Sequence, residues 1–401
     1  MILRFGCALV FTALCATFGC GSDDAAPANA AGSAGASSGG ASGSGGSAGS
    51  AAGSGGVAGN TGGTGASDGG AGTGGNLVGM FVAQGHMGRT IVSCDDGKSW
   101  TGNQSDDDAA RCFESGFDCD HNAGAANGIV FAGGAFFATY GWGTPGGVRK
   151  SSDGKIWNEV LTGTTFGGVA ASEQLVLGAA RDPQTSADWG DNWTQQASIP
   201  LGQIYNIREA HFTGGSSGRF ILVGNSGANR AIAVSTDGKS FSLPSVPADC
   251  DISFYRSGGI AAGGGAIVVT DGGAKACRSD DQGATWARVD MGSDVDSLLL
   301  HDGTRFVAWK QGTLVESSDG QVWKQSPTTP ANLQLGAVAV SDAGTYVGVR
   351  GGWSNWYDKQ RFYRSSDGSS WDEVASGSYT GSHPIIHIAY GKVPASACAA
   401  K

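Results

Sequence analysis

From residue 78 to residue 391, short apolar runs alternate with polar turns at a spacing that never lengthens into a helical period. MFVAQG and RTIVS, RFILVG and RAIAVS, GAIVVT and KACRS, and RFVAWK and TLVES are paired runs, each bounded by Gly, Asp or Asn. Runs of four to six apolar or alternating positions predict strands of small sheets, because a helix needs a longer segment with apolar residues every three to four positions. One further apolar segment stands ahead of successive pairs, as in GIVFAG (128–133), EAHFTG (209–214), SLLLHD (297–302) and GAVAVS (336–341).

The turn that closes each group repeats. SCDDGKSW (93–100) returns as SSDGKIW (151–157), SADWGDNW (186–193), STDGKSF (235–241), SDDQGATW (279–286), SSDGQVW (317–323) and SSDGSSW (365–371), with starts 58, 35, 49, 44, 38 and 48 residues apart. A period near 45 with variable insertions and four strands per period predicts an all-β fold: a seven-bladed β-propeller of four-stranded antiparallel blades over 77–401. Only two strands precede the first copy, whereas HPIIHIAYGK (383–392) follows the last. The C-terminal strand is therefore predicted to join the N-terminal blade as its innermost strand, closing the ring without an open edge.

Within each copy, Ser and Asp can bond the nearby backbone, Gly takes a conformation other residues avoid, and the final aromatic buries a large face. The residues concerned are Ser93, Asp95, Gly97 and Trp100, then Asp153 and Trp157, Asp188 and Trp193, Asp237 and Phe241, Asp281 and Trp286, Asp319 and Trp323, and Asp367 and Trp371. Three copies read S-x-D-x-G-x-x-W and four read S-x-D-G-x-x-W/F, a pattern that resembles the Asp-box, or bacterial neuraminidase repeat, of sialidase-like propellers. The resemblance implies that the boxes are structural, lie on one face, and leave the ligand site to the opposite face. A sialidase would add an arginine triad, a Tyr–Glu nucleophile pair and an F/Y-R-I-P segment. No R-I-P segment occurs, and Arg89, Arg111, Arg208 and Arg361 stand in other contexts.

The 71 glycines are divided between these turns and a low-complexity block. MILRFGCALVFTALCATFGC (1–20) has the outline of an export signal. Gly19-Cys20 before GSDD resembles a bacterial lipoprotein processing site, with Cys20 as the lipidated residue and Thr17 where that family carries an aliphatic; the alternative is a plain secretory signal. Residues 21–76 are almost wholly Gly, Ala, Ser, Thr and Asn, a tether with an end-to-end distance of roughly 40 Å. The chain is thus expected to be exported, either held at the outer membrane or cell surface by an N-terminal lipid or secreted. In that setting the six later cysteines predict disulfides: Cys112–Cys119 within one loop, then Cys250–Cys277 and Cys94–Cys398 by elimination. A formal charge of −10 speaks against nucleic acid as a partner. The expected partner is an extracellular glycan or protein, and the expected state a monomer.

Candidate chemistry falls in the longer connections. TGNQSDDDAARCFESGFDCDHNAGAANG (101–128) crowds Asp118, Asp120 and His121 with other carboxylates. It is open to three readings: a solvated, disulfide-pinned loop, a Ca2+ site over 106–120 in a chain otherwise expected to need no cofactor, or part of an acid–base site. Trp142, Trp353, Trp356 and Tyr357 sit in turns, where flat faces suit stacking on sugar rings with Asp358 to orient hydroxyls; Trp309 is a weaker member. Glu209 starts an inner strand and is the acid–base candidate there. His211 aligns with Val130, Val338 and Ile388 and reads as a packed histidine, while His383 and His387 enter the closing strand. Glycan binding, glycoside hydrolysis or polysaccharide lysis, and protein docking without turnover all fit this distribution.

Overall fold

A three- or four-residue apolar strand cannot shield itself from water, and here each finds cover between two neighbouring sheets. The computed structural model describes residues 76–85, 90–103, 126–140, 146–199, 204–226, 229–250, 259–349, 361–375 and 385–399. They form seven antiparallel sheets arranged as the blades of a propeller, with one short 3-10 helix, Ala395–Cys398.

Blade 1 contains Leu77–Gly85, Thr90–Ser93 and Thr101–Asn103, with Ile385–Pro394 as its innermost strand. Blade 2 contains Ala126–Ala132, Ala135–Tyr140, Gly147–Ser151 and Asn158–Thr162; blade 3, Gly168–Ala171, Val176–Ala179, Gln184–Ser186 and Thr194–Gln195. Blade 4 contains Ile204–Phe212, Phe220–Ser226 and Asn229–Ser235; blade 5, Gly259–Gly263, Ala266–Thr270, Lys275–Ser279 and Ala287–Asp290. Blade 6 contains Leu300–His301, Phe306–Lys310, Thr313–Ser317 and Lys324–Pro327; blade 7, Ala337–Val340, Tyr346–Val349, Phe362–Ser365 and Asp372–Val374.

Closure follows the expected route. The C-terminal strand pairs antiparallel with the first, from Leu77 opposite Pro394 to Gln84 opposite His387. Cys94 and Cys398 form a disulfide with Cα atoms 5.7 Å apart, and Lys155 Nζ donates to the Ala397 carbonyl at 2.5 Å. The second expected disulfide, Cys250–Cys277, is present with Cα atoms 5.3 Å apart; Cys112 and Cys119 lie outside the described residues.

Blade 4 departs from the four-strand expectation. Its outer strand shrinks to one bridge, with Val234 and Ser242 exchanging backbone bonds at 2.9 Å. The next residues are Leu243-Pro244 and, soon after, Pro247, and proline has no N–H with which to extend a ladder.

The core is divided among the blade interfaces. Trp100 and Phe362, 4.7 Å apart, belong to the cluster between blades 1 and 7, and Trp309 and Trp371, 5.5 Å apart, to that between blades 6 and 7. In every blade the aromatic that ends the repeat packs into the interface with the preceding blade.

Candidate functional site

Each blade has two ends. The hairpins joining first to second and third to fourth strands share one rim, so all seven repeat turns stand there. The turns between second and third strands, together with the connections between blades, occupy the opposite rim.

On the repeat rim the side chains serve the turn itself. Serine Oγ donates to the aspartate of its own copy at 2.7–3.0 Å in all seven. In six of them the turn glycine N–H donates back to that serine, at 2.7–2.9 Å. The long copies hold one more residue than the short ones, and Asp96, Trp189 and Gln282 absorb it with φ of 60°, 57° and 59°. Each carboxylate also accepts backbone N–H groups, as Asp319 does from Gln321 and Val322 at 2.8 and 3.0 Å. Hydrogen bonds from the Asn192 side chain and backbone hold Asp188 down at about 2, and those from Thr285 hold Asp281 likewise at about 2. Carboxylates so stabilised as anions are poor general acids.

The turn glycines add a second constraint. A Cβ at Gly97 of blade 1 would strike Val347 of blade 7; at Gly154 of blade 2 it would strike Met80 and Val82 of blade 1; at Gly320 of blade 6, Val268 of blade 5. Each repeat turn is therefore also a joint seated on the blade before it.

Most of the sequence candidates belong to connections whose flanking strands end on the opposite rim. Asp118, Asp120, His121, Trp142, Trp353, Trp356, Tyr357, Asp358 and His383 lie outside the described residues, as does the 106–120 stretch considered for Ca2+. The described strands flanking 104–125, 141–145, 350–360 and 376–384 all end on this rim, in blades 7, 1 and 2. Closure by the C-terminal strand makes those three blades consecutive. Among the described residues, no group of three or more His, Cys, Asp or Glu side chains is placed to hold a metal, and no helix is long and apolar enough to cross a membrane.

Three residues need separate comment. Trp309 is 1% exposed, and its indole N–H donates to the Gly368 carbonyl at 2.8 Å, the acceptor also used by Trp371. It is a core residue of the blade 6–7 interface and offers no face to a ligand, which corrects the sequence expectation. Glu209 lies on the innermost strand of blade 4 opposite Val223, beyond a bulge at Arg208. His387 holds the corresponding level in blade 1, opposite Gln84, where blades 2, 3 and 5 carry Gly128, Gly168 and Gly259 and blade 7 carries Ala337. At that level Gly259 faces the Leu299 backbone of the next blade closely enough that a Cβ would lie 2.6 Å from its nitrogen. Glu209 and His387 thus stand at a level that Gly or Ala holds in blades 2, 3, 5 and 7.

Register also corrects the alignment of His211. Its level is that of Val130, Ala339 and Ala389, one residue on from Val338 and Ile388. Missed by sequence reading was a Tyr140–Glu159–Arg149 group in blade 2. The Tyr140 hydroxyl donates to Glu159 at 2.9 Å, and Arg149 stands 4.2 Å over the phenol ring. Burial first, then the Glu159 carboxylate, push the phenol up to about 12, the reverse of what a tyrosine nucleophile requires.

No protein-family model matches the sequence. No curated protein matches it either. Among solved structures, the chain is similar to YCF48 from Cyanidioschyzon merolae (TM-score 0.47, 15% identity, 68% of this chain and 96% of that one). It is also similar to virginiamycin B lyase from Staphylococcus aureus (0.44, 12%, 61% and 82%) and to a protein from Lactobacillus plantarum (0.49, 12%, 79% and 100%). At these identities the likeness concerns the fold alone.

Proposed function

We propose that this chain is an exported Asp-box propeller, tethered through Cys20 and residues 21–76, that binds an extracellular glycan on the rim opposite the repeat turns. The observation that carries this reading is the division of labour between the rims. Serine, aspartate and glycine of the repeats are engaged in turn and joint contacts, whereas the described strands flanking the segments that bear Trp142, Trp353, Trp356, Tyr357 and Asp358 end on the other rim, in blades 2 and 7. Flat aromatic side chains suit sugar rings, which present apolar C–H faces and hydroxyl edges.

Glycan-array binding followed by calorimetry tests it. Trp353→Ala and Trp356→Ala are expected to abolish binding to the glycans the native chain retains; unchanged binding refutes the reading and leaves protein docking. A hydrolase or lyase is the second reading, favoured by the position of Glu209 on the innermost strand of blade 4, at a level that Gly or Ala holds in four other blades. It requires product release from a polysaccharide panel, lost in Glu209→Gln or Asp120→Asn. The buried, high-pKa Tyr140 speaks against a sialidase-type nucleophile in the described residues.

A further inference from the structure

Two histidines flank the innermost strand of blade 5. His211 on blade 4 is 6% exposed and His301 on blade 6 is 4% exposed, and neither Nε2 has a hydrogen-bond partner among the described residues. Side chains alternate along these strands, so that Ala262 packs in the blade 4–5 interface and Ala261 in the blade 5–6 interface. His211 shares its register level with Ala261 and faces forward toward blade 5; His301 shares that of Ala262 and faces back toward it. The His301 ring occupies the space that a Cβ on Gly263 would need, and it meets Phe306 edge-on at 4.8 Å. Gly303 N–H donates to His301 Nδ1 at 3.1 Å, which leaves the proton of the neutral ring on the unpartnered Nε2.

The charged neighbours of His301 offer its protonated ring little compensation. The Asp302 carboxylate next to His301 already accepts from Thr304, Arg305 and Tyr346, and Arg305 is paired with Glu316 as well. Blade 5 meets His301 with Gly263, followed by Gly264 and Gly265, and its Arg278, which reaches across to blade 6, is engaged by the Asp319 carbonyl and the Asp280 carboxylate. On the strand of His211 the ionisable neighbours are Arg208 and Glu209. Across blade 5, the charge of a protonated His301 acts on His211.

We propose that His211 and His301 form an acid-labile joint, holding blades 4, 5 and 6 together while both rings are neutral and loosening blade 5 when either takes a proton. Burial, then the charge of His301, lowers His211 to about 4, and burial lowers His301 against the opposing pull of Asp302. Because the folded values lie below the unfolded 6.5, the joint contributes its full stability above about pH 6.5 and loses it as pH falls toward 4. The joint therefore begins to lose stability at a higher pH than the turn carboxylates do.

Ring-nitrogen NMR of the histidine-labelled chain, read with urea unfolding at pH 7 and pH 4.5, tests the proposal. The native chain is expected to titrate His211 near 4 and His301 below 6.5, with a lower unfolding midpoint at pH 4.5. His301→Phe is expected to raise the His211 midpoint and to shrink the difference between the two pH values, while Glu209→Gln leaves both unchanged. A native His211 titrating at 6.5 or above overturns it, even if His301→Phe fails to fold. So does a folded His301→Phe with unaltered pH dependence, or a pH dependence removed by Glu209→Gln alone.

Discussion

Arg364, on the third strand of blade 7, donates from Nε to the Asp96 carbonyl and from Nη2 to the Asp96 carboxylate, each at 2.8 Å, so one guanidinium spans the joint where the ring closes. Thr345 donates to the same carboxylate at 2.6 Å. Burial acts to raise the Asp96 pKa, but these bonds outweigh it and hold the group below its usual value. Arg278 and Arg305 reach the carbonyls of Asp319 and Asp367 at 2.9 and 2.7 Å, repeating the device at two other joints. Hydrogen bonds to charged groups contribute about 1.5–3 kcal/mol, reduced here by partial exposure, so Arg364→Met is expected to cost about 1–2 kcal/mol in urea unfolding. Arg364→Lys should not restore it, because an ammonium lacks the fork that reaches both acceptors. Arg361→Ala, whose pair with Glu373 at 3.2 Å is half exposed, should cost no more than about 1 kcal/mol.

The glycines separate backbone strain from packing. Gly97 and Gly265 both have positive φ, 83° and 82°, but a Cβ at Gly97 meets Val347 whereas one at Gly265 meets nothing within 4 Å. Gly265→Ala is therefore expected to cost only the left-handed strain, about 1–2 kcal/mol. Gly97→Ala should cost about 1–3 kcal/mol beyond that, because the joint with blade 7 must shift. Equal unfolding midpoints for the two variants would show that the turn does not seat on its neighbour.

How much of this was legible beforehand follows from what repeats. Ser93, Asp95, Gly97 and Trp100 recur in kind six more times, so their common task could be read without coordinates, and the two strands before the first copy implied a closing strand from the far end. Blade 4 lost its fourth strand because Pro244 and Pro247 interrupt a ladder that the apolar pattern alone suggested. Trp309 looked unassigned because its partner, the Gly368 carbonyl, is 59 residues away in the next blade. The joint role of the turn glycines was hidden for the same reason: local sequence specifies the hairpin, and only the ring specifies which blade it touches. The Tyr140–Glu159 pair spans 19 residues and belongs to no repeat, so no spacing announced it.

The turn carboxylates define a second acid window, below that of the histidines. Asp188 is lowered to about 2 by the Asn192 side chain and then its backbone N–H, and Asp319 is lowered by the backbone N–H of Val322 and then Gln321. A folded value below the usual 3.8 means stability that is complete above about pH 4 and lost as pH falls toward 2. Asp188→Asn should be less stable at pH 7, yet lose less on acidification from pH 4.5 to pH 2. Parallel curves for variant and native chain would remove the carboxylate from the acid response.

Closure rests on a strand and a covalent tie that can be removed separately. The disulfide between Cys94 and Cys398 spans 304 residues and ties the first repeat turn to the short helix that follows the closing strand. A cross-link over a long loop limits the unfolded ensemble and contributes about 2–5 kcal/mol, whichever strand pairs in the native ring. Cys398→Ser is therefore expected to lower the unfolding midpoint while leaving the folded far-ultraviolet spectrum intact, because the ladder from Leu77 to Gln84 still holds Ile385–Pro394. Removing residues 385–401 is a different injury. It strips blade 1 of its innermost strand and takes Ile388 and Ile385 out of the core shared with blade 7, along with Ala389 and Val393 from that shared with blade 2. Two interfaces open at once, so the truncated chain should unfold cooperatively at a far lower urea concentration or aggregate through the exposed edge. If Cys398→Ser proves as damaging as the truncation, the covalent tie and not the strand closes the ring.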